Sequence, residues 1–427
     1  MKYQESAKNR LWIRLVDELD ALRVSKVDNT NNEAILNPIS GDICLLDTAS
    51  AALVFATEYV RTCEDSWRSK AISCIDFVKN KKPFSGLDEP QWSPAGWVSR
   101  NGSLYMTGAT IDMLWSAQRL LNLDDTGDEQ LHPLSEYLAS CMHQPGVFAH
   151  DSIPKNSSKI SDVQNTTAIG LYLLRQGYRQ YGYHSEMLRF CYQSVEHLSN
   201  GMRYDGFWPY IYPGKIQKSL YRVPQVWDFK AVTIFERYFL GDKSIRFGDV
   251  VHHLYIMYFL AKSAAYAEDE IIINILSRAW NWLRSILVYV TEDDIRIDFS
   301  VEPELRTIRF CNFSDTTAYF ILLATLPDLK RLGLLNDCDR SLGDGIINYV
   351  IKNLLGNKSP AILPHEDVYE RRAKILPAIW QSSAWKAALL SGFIRMHYDG
   401  PADSSTRCTK DQPVEVAEGV RRHGIIN

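Results

Sequence analysis

Long apolar runs are missing from this chain. A helix needs roughly 18 or more predominantly apolar residues to cross a bilayer. The most apolar long stretch, residues 250–265, is interrupted by His252, His253 and Lys262. The opening Met1-Lys2-Tyr3-Gln4-Glu5-Ser6 is polar and no apolar segment follows it, so no export signal is expected and a cytoplasmic location is. The eight cysteines include no Cys-x-x-Cys pair, which removes zinc ribbons and thioredoxin-type motifs and leaves reduced, buried thiols. The formal net charge of −4 gives no basic footprint for nucleic acid. A phosphate-binding Walker loop, a dinucleotide glycine fingerprint, Gly-x-Ser-x-Gly and His-Glu-x-x-His are all absent, so nucleotide, serine-hydrolase and zinc-peptidase readings have no support.

What is present is helical periodicity and aromatic mass. The 11 Trp and 22 Tyr would suit either an aromatic-lined cavity or a large helical core. Apolar positions recur at helical spacing over residues 9–22, 48–61, 67–79, 107–121, 131–143, 166–181, 185–198, 231–240, 249–266, 270–290, 315–326, 342–355 and 382–397. Strand signals are few, the best being a short hairpin arm near residues 294–301.

A helix-opening signature recurs along the chain. Its clearest copy is Ser314-Asp315-Thr316-Thr317-Ala318-Tyr319, a polar N-cap, small residues and then an apolar run. Other copies place the alanine at Ala49, Ala109, Ala168, Ala231 and Ala384. The alanines recur with a period of roughly 60 residues, which is one helix-loop-helix-loop unit. The fourth interval, Ala231 to Ala318, is clearly longer than the others. Six units predict an all-α (α/α)6 toroid of about twelve helices occupying residues 1–398, with an extra loop or helix in that long interval. A polar extension, residues 399–427, follows. In such a ring the inner helices all start at one mouth, and the long loops before them line it. An irregular all-α solenoid is the alternative architecture.

The repeat resembles the toroids of the terpenoid cyclase and protein prenyltransferase superfamily. Asp47-Thr48-Ala49 is similar to the first inner helix of class II terpene cyclase β-domains. Cys141-Met142-His143-Gln144-Pro145-Gly146-Val147-Phe148 and Asp205-Gly206-Phe207-Trp208 resemble the glycine-aromatic turns that end outer helices. The resemblance spans about residues 40–397 and implies acid-initiated cyclisation of an apolar isoprenoid diphosphate by a lyase- or isomerase-type enzyme. That chemistry needs a carboxylic acid kept neutral by burial and neighbouring carboxylates, and aromatic faces to stabilise the cation.

The acid motif is degenerate. Asp315 aligns with the proton-donating position, Thr316 stands where a third acid is expected, and Phe313 where the first is. The resemblance makes Asp315 the proton donor with Asn312 and Thr316 orienting it. It makes Trp208, Tyr210, Trp227, Asp228, Phe310, Tyr319, Trp380, Trp385 and Arg371 the substrate-binding set. Asp315 is more simply readable as a helix cap. Asp124-Asp125-Thr126-Gly127-Asp128-Glu129 matches the metal–diphosphate pattern without the second motif such sites require. No metal site is assigned, although Mg2+ would accompany a diphosphate.

A second reading is carbohydrate chemistry, since (α/α)6 toroids also host polysaccharide lyases, uronyl epimerases and glycosidases. The segment Tyr204 to Lys215, with Arg222 and Trp227-Asp228, would form a stacking platform with acid and cationic groups. Trp92, Trp97, Arg100 and Tyr105 form a similar cluster. Tyr210 or Tyr212 would serve as acid or base beside a cation. Asp151, Asp205, Asp228 and Asp315 are the carboxylates from which a hydrolytic pair would come. A third reading is a degenerate toroid that only binds a partner. Oligomeric state is not legible.

Overall fold

The computed structural model describes residues 7–25, 32–36, 43–87, 90–93, 96–99, 103–123, 128–149, 163–181, 185–209, 250–267, 269–291, 293–297, 316–336, 339, 341–355 and 383–396. Helices dominate these residues. In chain order they are α1 (Ala7–Ala21), α2 (Leu45–Thr62), α3 (Asp65–Asn80), α4 (Leu104–Leu120), α5 (Asp128–Cys141) and α6 (Gln164–Tyr181). The second half supplies α7 (Ser185–Gly201), α8 (Val250–Ala267), α9 (Glu270–Ile286), α10 (Thr316–Arg331), α11 (Leu342–Tyr349) and α12 (Ser383–Met396).

Burial separates two classes of helix. Every residue of α2 from Leu46 to Glu58 is buried. A helix largely of apolar and small residues on every side belongs inside a protein, and the buried Glu58 of α2 accepts from Trp12 Nε1 at 2.8 Å. The outer helices bury one stripe only: α9 buries Ile272, Ile275, Leu276, Ala279, Trp280, Trp282 and Leu283, the i, i+3, i+4, i+7 spacing of an amphipathic surface helix. Asp269 opens α9 as a side-chain cap, its Oδ1 accepting from the amides of Ile271 and Ile272 at 3.0 and 3.4 Å.

The inner helices close on themselves. α2 packs on α4, α4 on α6, α6 on α8, α8 on α10, α10 on α12, and α12 returns to α2. Outside this ring α3 packs on α2, α7 on α6, α9 on α8, and α1 on α12 and α11. The expected (α/α)6 toroid is therefore the fold. Its fourth inner helix is α8, starting at Val250. The signature copy at Ala231 lies outside the described residues, as do residues 397–427.

The connections are markedly unequal. An inner helix reaches the next outer helix through a short link, as at positions 63–64, 182–184 and 332–341. An outer helix reaches the next inner helix through a far longer one, as at positions 142–163, 287–315 and 202–249. Among the described residues, four two-stranded antiparallel sheets belong to the long connections: β1/β2 (Arg23–Ser25, Glu33–Ile35), β3/β4 (Pro90–Ser93, Gly96–Ser99), β5/β6 (Met142–Gln144, Val147–Phe148) and β7/β8 (Val288–Thr291, Asp294–Arg296). The last is the predicted hairpin arm, shifted a few residues toward the N-terminus.

In these connections Gly146, at φ +74°, and Gly206, at φ +100°, have left-handed backbones. Each turns the chain after an outer helix and delivers aromatics inward. A Cβ on Gly206 would sit 2.3 Å from the Arg278 carbonyl oxygen. Beyond Gly146, the buried Phe148 ring occupies the space a Cβ on Gly170 of α6 would need. Beyond Gly206, Phe207 packs against Trp282 with centroids 4.5 Å apart.

Candidate functional site at the ends of the ring

The ring has two mouths with different chemistry. The long connections all enter at the N-terminal ends of the inner helices, and binding residues concentrate on loops held by a rigid scaffold. Most residues expected at the site lie on these connections. Asp315, Asn312, Phe310, Tyr210, Trp227, Asp228, Trp380 and Arg371 fall outside the described residues, and so do Asp151, Tyr212 and Arg222. Thr316 opens α10.

The other three expected residues have definite places. Trp385, near the start of α12, stacks on Tyr255 of α8 with centroids 5.7 Å apart and planes at 11°. It meets Tyr105 of α4 edge-on at 6.1 Å. Tyr105 donates its hydroxyl hydrogen to the Tyr255 hydroxyl at 2.5 Å. α4, α8 and α12 are alternate members of the six-helix ring, so residues from all three meet only across its axis. The trio forms an aromatic floor beneath the long-loop mouth. The Trp385 indole N–H has no hydrogen-bond partner among the described residues. His252 adds an imidazole 6.1 Å from the Tyr255 ring.

Tyr319 and Trp208 face elsewhere. The Tyr319 hydroxyl donates to the Ile297 carbonyl at 3.3 Å and accepts from the Ile297 amide at 3.1 Å, and its ring stacks on Tyr349 of α11. Trp208 is fully buried between helices, with Nε1 donating to the Leu198 carbonyl at 2.8 Å. Its amide donates to Nδ1 of His253 at 3.3 Å. Burial pushes the His253 imidazole down to about 3, so it is neutral at ordinary pH. Asp205 accepts from Arg203 at 2.8 Å and from the Phe207 amide at 3.3 Å, closing its own turn.

Below the floor lies a carboxylate surrounded by donors. Asp112 of α4 is fully buried. Tyr172 of α6 donates to its Oδ1 at 2.5 Å, and Tyr258 of α8 to its Oδ2 at 2.6 Å. Lys262, one turn further along α8, reaches both oxygens at 2.5 and 2.7 Å. Burial pushes the Asp112 carboxyl up, but the Lys262 charge and the three donors outweigh it and hold the group below the usual carboxylate range. Tyr258 is pushed well above its ordinary value, first by burial and then by the Asp112 charge.

The C-terminal mouth holds a cavity of about 430 Å³. Arg119, Tyr258, Lys262, Asp328, Arg331 and Arg395 supply its polar wall, and Leu53, Ala324 and Leu389 part of its apolar one. Burial raises the Asp328 carboxyl above its usual range, against the lowering effect of Lys262 and Arg331. Among the described residues no group of three His, Cys, Asp or Glu could hold a metal ion, and no helix is long and apolar enough to cross a membrane.

No family model and no curated protein matches this chain. Solved structures do. A cellobiose 2-epimerase from Bacillus thermoamylovorans is 9% identical, with a TM-score of 0.57 over 91% of this chain and 99% of its own. A D-mannose isomerase is also 9% identical, with a TM-score of 0.57 over 92% and 100%. An unsaturated glucuronyl hydrolase from Bacillus sp. GL1, responsible for glycosaminoglycan degradation, is 13% identical, with a TM-score of 0.54 over 92% and 97%. At such identity these likenesses establish the fold. They also overturn the terpenoid-cyclase reading, its isoprenoid substrate and its acid-initiated cyclisation, because the similar toroids are sugar enzymes. The physical reason for the error is that a helix-cap signature repeated six times belongs to ring construction, which several chemistries share.

Proposed function

We propose that this chain is a carbohydrate-active enzyme whose substrate sugar binds at the long-loop mouth. One observation carries the reading: Tyr105, Tyr255 and Trp385 meet on the ring axis under the long connections. Sugars present apolar C–H faces with hydroxyls at their edges, so an aromatic floor bearing hydroxyls and an indole N–H fits both parts. The similar solved structures act on an unsaturated glucuronide, on cellobiose and on mannose. They motivate the substrate class without selecting within it.

In this reading the reactive groups come from the connections. Asp151, Asp228 and Asp315 are the acid–base candidates. Tyr210, Trp227 and Trp380 add stacking surface, and Arg371 or Arg222 pairs with a uronate carboxylate. The reaction is hydrolysis or epimerisation, and product analysis separates the two. The purified chain is incubated with an unsaturated glucuronyl disaccharide, cellobiose and mannose, and products are followed by proton NMR. Hydrolysis frees a reducing end, whereas epimerisation or isomerisation creates a new anomeric signal at constant mass. Turnover of at least one sugar is expected, with a KM raised at least tenfold in Trp385→Ala. A folded protein that converts none of them refutes the proposal.

A further inference from the structure

We propose that the cavity at the short-loop mouth is a second binding site, for a small phosphorylated molecule of about the size of a hexose phosphate. The site is separate from the sugar floor, since it opens at the opposite end of the inner helices. Arg119 comes from the last turn of α4, Lys262 from α8, Arg331 from α10 and Arg395 from α12. Three arginines from three helices thus converge on one hollow beside Lys262, whose charge is matched by Asp112, and one carboxylate, Asp328, paired with Arg331, shares the wall with them. The nearby Asp112 is already enclosed by Lys262, Tyr172 and Tyr258.

A basic residue in a helix's last turn also complements that helix's own dipole. That role requires no shared cavity, whereas here the three arginines border the same one. Each guanidinium is steered by a local contact: Arg119 to Ser116 Oγ at 3.2 Å, Arg331 to Asp328 at 3.3 Å and Arg395 to the Ser391 carbonyl at 3.4 Å. Guanidinium groups recognise phosphate through paired N–H donors. A volume near 430 Å³ lies within the range of small-molecule pockets and is far more than a free phosphate ion fills. The apolar wall formed by Leu53 and Leu389 would take the carbon skeleton.

The test is isothermal titration calorimetry of the full chain with glucose 6-phosphate, inorganic phosphate and glucose as separate probes. Glucose 6-phosphate should bind, with affinity falling as salt rises, and inorganic phosphate should bind more weakly. The Arg119→Gln/Arg395→Gln variant should lose at least tenfold in glucose 6-phosphate affinity. Both side chains are exposed, so the fold is retained. Trp385→Ala should bind it unchanged, which separates this site from the sugar floor. Absence of glucose 6-phosphate binding, or binding unaffected by the arginine substitutions, overturns the proposal. Neither result depends on whether any sugar is turned over.

Discussion

Replacing Asp112 by Asn tests the electrostatic core of the ring. The substitution keeps shape and leaves acceptor and donor groups for Tyr172 and Tyr258, but removes the charge that faces Lys262. Lys262 Nζ lies 2.5 and 2.7 Å from the two carboxylate oxygens. At about 3 Å and an effective dielectric near 20, two unit charges attract by roughly 5 kcal/mol before desolvation is subtracted. Removing one partner of a buried pair costs about 3–5 kcal/mol, chiefly because the other charge is left uncompensated. The Lys262 side chain is 15% exposed and regains part of its hydration, which places the expected loss at the low end, about 3 kcal/mol. Urea unfolding would measure it as a lower midpoint at constant slope. The double variant Asp112→Asn/Lys262→Met should be no less stable than Asp112→Asn, because no buried charge is stranded. A single-variant loss below about 1 kcal/mol, or simple additivity in the double variant, refutes the reasoning.

Gly206→Ala should cost about 3 kcal/mol, combining a φ of +100° with a Cβ placed 2.3 Å from the Arg278 carbonyl oxygen; an unfolding midpoint equal to wild type would contradict the turn's role. His253 links stability to pH. Its folded value is about 3 against an ordinary value near 6.5, so between those limits the unfolded chain binds a proton that the folded chain does not. Stability from this group is complete above about pH 6.5 and declines as pH falls toward 3, by up to about 1.4 kcal/mol per unit. His253→Gln should flatten the profile between pH 6 and 4, and equal slopes would sink the assignment. Asp112, held below its usual range, contributes fully above about pH 4 and loses that contribution only as pH falls through its own lowered value. Asp112→Asn should therefore alter the acid limb below the His253 window.

The ring was legible because its helices advertise themselves locally. Ala49, Ala109, Ala168, Ala318 and Ala384 all fall inside inner helices, where small residues permit close packing. The fourth unit was misplaced because α8, which starts at Val250 right after Asp249, continues with Val251-His252-His253 where the other copies have small residues and an alanine. The axis was not legible. Asp112 and Lys262 are 150 positions apart and meet only once the ring is closed. A signal was nonetheless available, for Asp112 is the sole carboxylate in α4 and Lys262 the sole Lys or Arg in α8, and a buried charge requires a partner. Trp385 enters the sequence reading through the terpenoid-cyclase resemblance and Tyr105 through its loop cluster. Tyr255 was hidden because it is one of three tyrosines in an apolar helix and looks like any core residue. The chemistry went astray for a further reason: a toroid's rim residues determine its reaction, while the repeat that identifies the toroid reports only on packing.

The most direct measurement is a crystal structure of the chain with the sugar that the substrate panel selects. The account predicts that the sugar ring lies at the long-loop mouth, over Tyr105, Tyr255 and Trp385, with a carboxylate from residues 150–162, 210–249 or 298–315 beside its reacting carbon. A sugar bound instead in the cavity formed by Arg119, Arg331 and Arg395, with the aromatic floor empty, would contradict it.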